Sequence, residues 1–308
     1  MVNQPYGYQK HDMKLDAKYR LHRKADLVAG YDYERMKRRN SERDRTSQDT
    51  YRAEIQLRPT IQLQAGINLA HSKRDGSDYE TSAGENPLLR KYNLADRDRD
   101  SAGLSVSYQP KDTVSVSASL ASSRDDYTDT DIGLRESKSD NFNIDTSLDF
   151  SENLSAHAFY SWQRIRSDQA GSETPTDPDW KVDYDDRIQS VGFGLIQKNA
   201  FTPKLDISFD YVYSDGKGSI DVNAPNSLVP VNPFPDSSTK VHVVNLSADY
   251  RIKRHTSVRV GYQFERYSSD DWAVDKVYPD SLQNVLTLGA ETPDYNQHLF
   301  WASVVYKF

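Results

Sequence analysis

Alternation constrains this chain more than any other feature. Apolar side chains recur at every second position in about thirteen rows of about 9–13 residues. A period of two marks a β-strand whose two faces meet different surroundings. In the first row Met13, Leu15, Ala17, Tyr19 and Leu21 oppose Lys14, Asp16, Lys18 and Arg20. Further on, Tyr51, Ala53, Ile55 and Leu57 oppose Arg52, Glu54, Gln56 and Arg58. Phe142, Ile144, Thr146 and Leu148 oppose Asn143, Asp145, Ser147 and Asp149. Leu205, Ile207, Phe209 and Tyr211 oppose Asp206, Ser208 and Asp210. Leu246, Ala248, Tyr250 and Ile252 oppose Ser247, Asp249 and Arg251, and Val258, Val260 and Tyr262 oppose Arg259 and Gly261. The last row is Phe300, Ala302, Val304, Tyr306 and Phe308. Strands of ordinary soluble proteins average about 5–6 residues, whereas a tilted strand crossing a bilayer needs about 9–11. The row length predicts an all-β protein, a transmembrane antiparallel β-barrel. A soluble solenoid would need a repeat motif and turn signals on both sides.

The connections carry a second signal. Short turns fall near 21–24, 58–60, 110–113, 151–153, 199–203 and 253–255. Long polar loops are expected at 37–48, 75–96, 126–138, 168–183, 217–238 and 268–294. Outer-membrane barrels have short periplasmic turns and longer extracellular loops. The alternation therefore predicts a bacterial outer-membrane location, with 1–308 forming one barrel region and the C-terminus at Phe308 on the periplasmic side. Tyr19, Tyr33, Tyr51, Tyr108, Trp162, Tyr213, Tyr250 and Tyr306 sit near the ends of apolar rows, as interfacial girdles require.

Composition agrees. Hydrophobic residues make up 36%, too few for one conventional core of 308 residues, yet 20 Tyr and 10 Phe are too many for disorder. No run of about 18 apolar residues is present, which excludes a transmembrane helix. With no Cys, the chain has no disulfide, no Cys-ligated metal and no covalent c-type haem. A net charge of −7 argues against a nucleic-acid partner. Residues 1–20 hold no apolar signal-peptide core. Because an all-antiparallel barrel closes with an even strand number, about thirteen rows point to part of a longer barrel.

Three stretches carry a family resemblance. Residues 86–100 run from Asn86, Pro87, Leu88, Leu89, Arg90, Lys91 and Tyr92 to Asp96, Arg97, Asp98, Arg99 and Asp100. Residues 183–195 include Asp183, Tyr184, Asp185, Asp186 and Arg187, and the end reads from Gln297 to Phe308. Together they resemble the MtrB/PioB family of outer-membrane barrels, with the chain matching the C-terminal half of a barrel of about 26 strands. The resemblance implies a sheath. A periplasmic multihaem cytochrome would lie in the lumen and an extracellular multihaem cytochrome would dock on the loops. Haem would be carried by these partners, with none bound by this chain. The chain lacks the Cys pair often found near the family's mature N-terminus.

The polar rows supply the candidate partner-binding residues: Lys14, Asp16, Lys18, Arg20, Arg52, Glu54, Asp145, Asp149, Asp206, Asp210, Asp249, Arg251 and Arg259. Their mixed signs suit either a solvated pore or register-setting contacts with a partner. Gly66, Gly103, Gly192, Gly194 and Gly261 would let a partner approach closely or relieve strain in the sheet. The run Asp96–Asp100 is expected to form internal ion pairs rather than a cation site. Loop 268–294, with Trp272, Tyr278 and Pro279, is a candidate docking surface. His157 is expected to face the lumen. No Ser lies in a nucleophile elbow and no His pair has metal-ligand spacing, so an enzyme is not expected. The alternative function is a general diffusion porin for small solutes.

Overall fold

The computed structural model describes residues 5–82, 84–225, 233–272 and 294–307. Phe308, Tyr278 and Pro279 lie outside the described residues. One antiparallel sheet dominates. Its strands are β1 (Gly7–His22), β2 (Ala25–Arg39), β3 (Arg45–Leu57), β4 (Leu63–Gly76), the two-residue β5 (Leu89–Arg90), β6 (Arg97–Lys111) and β7 (Val114–Asp126). The sheet continues with β8 (Ile132–Asp149), β9 (Leu154–Gly171), β10 (Trp180–Gln197), β11 (Leu205–Asn223), β12 (Ser237–Lys253), β13 (Thr256–Asp270) and β14 (Tyr295–Tyr306). Each long strand pairs with the next in sequence, β4 pairing with β6, while β5 adds a short parallel ladder to β8. The thirteen long strands match the thirteen apolar rows. The two outermost, β1 and β14, each bond to a single neighbour among the described residues and run in the same direction.

The register sorts the side chains cleanly. Tyr19, Leu27, Ile55, Ile67, Leu104, Ala118 and Ile144 fall on one face, and the alternating polar residues on the other. Large side chains on the apolar face are exposed in this chain: Tyr19 is 67% and Phe300 76% accessible. Burying them requires an apolar medium, which is the arrangement of a lipid-facing wall. Aromatic pairs cross between strands at the level nearer the long loops, as with Tyr31–Tyr51 at 5.4 Å, Phe142–Tyr160 at 6.1 Å and Tyr262–Phe300 at 4.8 Å between ring centroids. Tyr211 and Tyr262 also share 2.9 Å hydrogen bonds with the Nδ1 atoms of His242 and His298.

Strand length departs from expectation. The long strands run from 12 residues in β14 to 19 in β11, and all but β3, β7 and β14 exceed the 9–13 of the apolar rows. The connections shrink accordingly to 40–44, 77–96, 127–131, 172–179, 224–236 and 271–294. Two of these are five residues, no longer than the turn at 58–62. Once a strand leaves the apolar medium both faces turn polar. The ladder continues, but alternation no longer reports it.

Candidate functional site

All thirteen candidate residues on the polar rows share one face of the sheet. On β1–β3 they pair with one another. Arg52 donates to Asp32 at 2.8 Å and to Asp16 at 3.0 Å. Asp26, only 3% exposed, receives Lys18 at 3.1 Å and Arg58 at 3.0 Å, with Arg20 at 3.7 Å. Glu54 accepts a 2.9 Å bond from Gln56, and Lys14 stands opposite Asp32. On β11–β13, Arg259 holds Asp249 at 2.9 Å and Arg251 lies 3.5 Å from Asp206. His157 is on the same face, its Nε2 3.1 Å from Asp210. Asp145 and Asp149 form no ion pair among the described residues. Where the charges of this face are mutually compensated, as on β1–β3, they meet a partner with little uncompensated charge and fix orientation more than affinity.

The glycines of this face do not leave gaps. Side chains from neighbouring strands lie over them: Asn68 over Gly103, Phe159 over Gly192, His157 over Gly194 and Trp301 over Gly261, where an added Cβ would sit 2.1–2.3 Å away. Beside Gly66 lies the Ser105 hydroxyl. Gly192, Gly194 and Gly261 are beds for rings on this face, the arrangement that lets a ring lie flat against a sheet.

That exposes residues the alternation missed. Phe159, Ile165, Ile188, Val212, Val243, Leu299 and Trp301 stand on the polar face of β9–β14. Tyr267 and Tyr295 stack there at 5.2 Å. The signal was an unbroken apolar run such as Leu299, Phe300 and Trp301, which places large groups on both faces at once.

The 86–100 motif forms the most structured connection. Asn86 accepts from the Leu88 amide at 2.9 Å, and its own amide donates to the Thr176 carbonyl at 2.9 Å in the 172–179 loop. Pro87 offers its carbonyl to Arg90 at 2.9 Å, and the Arg90 guanidinium lies 4.7 Å over the Tyr79 ring. Leu89 and Arg90 pair with Ile132 and Gly133. Gly133 has φ +122°, and a Cβ there would come 2.4 Å from the Arg90 carbonyl, so only glycine fits. Lys91 binds Glu42 and, at 3.1 Å, Glu85. That bond holds the Glu42 carboxyl below its ordinary range and raises Lys91.

The amides of Leu94 and Ala95 turn back onto the Lys91 carbonyl. Leu94 and Ala95, 2% and 1% exposed, belong with Tyr127 and Ile132 to the small buried core of the chain. Arginines clamp this turn. Arg74, on the polar face, donates to the Ala95 and Tyr92 carbonyls at 2.9 and 2.6 Å. Buried Arg43 donates to the Leu94 carbonyl and lies 2.8 Å from Asp96. The loop is therefore folded over the polar face, across the mouth of the sheet. Burial, with the Asp125 charge, pushes the Tyr127 phenol above its ordinary value.

The ion pairs of the 96–100 run reach outward to neighbouring strands. Arg97 and Arg99 share Asp125, at 3.5 and 2.5 Å, and Asp100 binds His71 at 2.8 Å. Asp98 stands opposite Lys73 and Asp126. Asp186 and Arg187 fall on opposite faces, Asp186 beside Gly218 and Arg187 bound to Asp185 at 2.8 Å.

A long-stranded antiparallel sheet with one lipid-compatible face, one polar face and a loop folded across its mouth defines an outer-membrane β-barrel protein. The model of the outer-membrane beta-barrel porin family MtrB/PioB matches residues 1–308. Outer membrane protein MtrB of Shewanella baltica (strain OS185) is 33% identical over 309 aligned residues, which is 99% of this chain and 44% of that protein. The chain belongs to the MtrB/PioB family, and it spans less than half the length of that relative. The fold is also similar to the ferric-catecholate import receptor Fiu of E. coli K12, with a TM-score of 0.56 at 9% identity over 86% of this chain and 55% of that one. The siderophore receptor PiuA of Acinetobacter baumannii gives 0.53 at 9% identity over 84% and 47%.

Proposed function

We propose that this chain is part of an outer-membrane barrel that sheathes a periplasmic multihaem c-type cytochrome and positions it for electron transfer across the membrane. The observation that carries this is the polar face. It combines self-compensated ion pairs on β1–β3 with inward Phe159, Trp301 and stacked Tyr267–Tyr295 on β9–β14. Aromatic groups set among satisfied polar groups are enriched at protein interfaces. The barrel would exclude lipid and hold the partner in register. Haem and its axial ligands would belong to the partner, and no catalytic role is assigned to this chain. The long loops, including 268–294, would face outward to an extracellular cytochrome, and the end of β14 would face the periplasm. Affinity purification of the complete protein from detergent-extracted outer membranes, with in-gel haem staining, tests this. A haem-staining partner near one-to-one supports it; a haem-free barrel from cells that make such cytochromes overturns it.

A second function, a diffusion porin for small solutes, draws on the family's porin description. Planar-bilayer conductance separates the two: the isolated complex should conduct poorly if the lumen is filled and well if it is open.

A further inference from the structure

The short turns differ in charge from the rest of the chain. The connections 23–24, 58–62, 112–113, 150–153, 198–204 and 254–255 hold six cationic side chains and two carboxylates, in a chain whose net charge is −7. The two carboxylates, Asp112 and Glu152, fall in the β6–β7 and β8–β9 turns, so the cations gather in two arcs, one on β1–β4 and one on β10–β14. On the first arc Arg58, Lys18 and Arg20 already crowd onto Asp26. The second arc is the stronger. Lys198, Lys204, Lys253, Arg254 and Lys307 are exposed and form no ion pair among the described residues. The Arg251 amide donates to the Lys204 carbonyl at 2.8 Å, so Lys204 stands beside Arg251 on the polar face. Like charges directly opposite one another destabilise a sheet. One rung inward on that face stand Asp206 and Asp249. Asp249 is held by Arg259 at 2.9 Å, and Asp206 by Arg251 at 3.5 Å and the Asn199 amide at 2.9 Å. Asp149 and Glu152 of the neighbouring turn bound the arc, and its five unpaired cations outnumber them. Arg251 also donates to the Asn199 side chain at 3.1 Å and the Pro203 carbonyl at 3.0 Å, which fixes the 198–204 turn that carries two of the lysines.

We propose that the short-turn rim of β10–β14 docks an acidic surface of the periplasmic protein that occupies the lumen. This rests on the sheath reading and on the orientation given with it. The register chooses a lumenal protein over a lipid headgroup. The lipid-side row next to Lys204 and Arg251 is Leu205, Tyr250, Val258 and Val304, so these two cations border the lumen and apolar groups border the membrane. A rim of surplus positive charge steers a negatively charged partner toward the opening. Because the arc is interrupted at β6–β9, it also sets the rotation at which the partner enters.

The test uses the complete protein in living cells. A photo-crosslinking amino acid placed at Lys204, and separately at Arg254, should capture a periplasmic protein at segments rich in Asp and Glu, read by mass spectrometry of the crosslinked peptides. Capture of phospholipid alone, of segments with no acidic surplus, or of nothing overturns the inference. The captured protein is then purified and its association with the complete barrel timed. The variant Lys198→Gln, Lys204→Gln, Lys253→Gln, Arg254→Gln should slow association about tenfold at low ionic strength and much less at high salt. Heat-modifiable gel mobility reports that it folds. A control that removes the same charge at the long-loop end, Lys73→Gln, Lys181→Gln, Lys217→Gln, Lys240→Gln, should associate as the parent does. An unchanged rate in the rim variant, or equal slowing in the control, overturns the inference. Haem staining of the captured protein reports separately on the sheath: an acidic partner without haem keeps the rim and removes the sheath, and a haem protein crosslinked through neutral or basic segments does the reverse.

Discussion

The β1–β3 wall and the β7–β11 wall use the same alternation and put most of their ion pairs on opposite faces. On β1–β3 the ion pairs lie on the polar face, at the height of the apolar band: Arg52 with Asp32 and Asp16, Asp26 with Lys18 and Arg58. On β7–β11 the polar face at that height sets Asp145 and the His157–Asp210 pair among Ser119, Phe159, Gly192 and Gly194, while the arginine pairs stand on the other face beyond Trp162. A charge on the lipid side of a barrel is tolerated only near or beyond the interface. A charge on the lipid side therefore marks height, and the arginines of β7–β10 beyond Trp162 mark where the bilayer ends.

That comparison can be broken first at the mouth, where both walls meet the motif loop. Arg43→Ala removes the buried clamp on Leu94 and Asp96 and should destabilise the loop by about 3 kcal/mol; protease cleavage within 77–96 should accelerate while the heat-modifiable barrel persists. Gly133→Val forces a side chain into a left-handed position against Arg90. It should cost about 1–3 kcal/mol and free the β5–β8 ladder, read as loss of hydrogen-exchange protection at Leu89 and Arg90.

On the β1–β3 wall, Arg52→Gln should change stability by no more than about 1 kcal/mol, since its partners remain accessible. Its larger effect should be on partner association, as a reduced dependence of the on-rate on salt. The smallest effect concerns pH. Glu42 titrates lower in the folded chain, so its contribution is present above the unfolded carboxylate value and is lost as pH falls through the folded one. Lys91 titrates higher, so its contribution is complete below the unfolded ammonium value and lost as pH rises through the folded one. Proteolysis of 77–96 should therefore be slowest at intermediate pH and faster at both extremes, within about 1 kcal/mol.

The apolar rows made the sheet legible because lipid on one side and polar groups on the other force a strict period of two. Strand ends were illegible for the same reason: residues 214–219 of β11 carry no apolar side chain on either face, so nothing in their pattern distinguishes strand from loop. The candidate charges on the polar rows were legible as a face, but their pairings were not, because Arg52 and Asp16 are 36 residues apart. The motif at 86–100 was legible as a motif. Its inward fold depends on Arg43 and Arg74, which sit in ordinary polar sequence and take their role from the register alone. Trp301 was hidden in an apolar run that satisfied the expected row without it.

The parallel sense of β1 and β14 has a consequence for assembly. If a second copy stood beside the first with the same membrane orientation, β14 of one would meet β1 of the other running the same way. Neither self-closure nor a ring of copies can then satisfy these edges with antiparallel ladders, and unpaired backbone groups in hydrocarbon cost several kcal/mol each. Only a sheet with an odd number of strands can complete the wall with antiparallel seams. Strand sense at the two seams thus acts as a selectivity filter: a duplicate brings an odd number of strands but in the same sense, whereas a complement must begin and end on strands of the opposite sense.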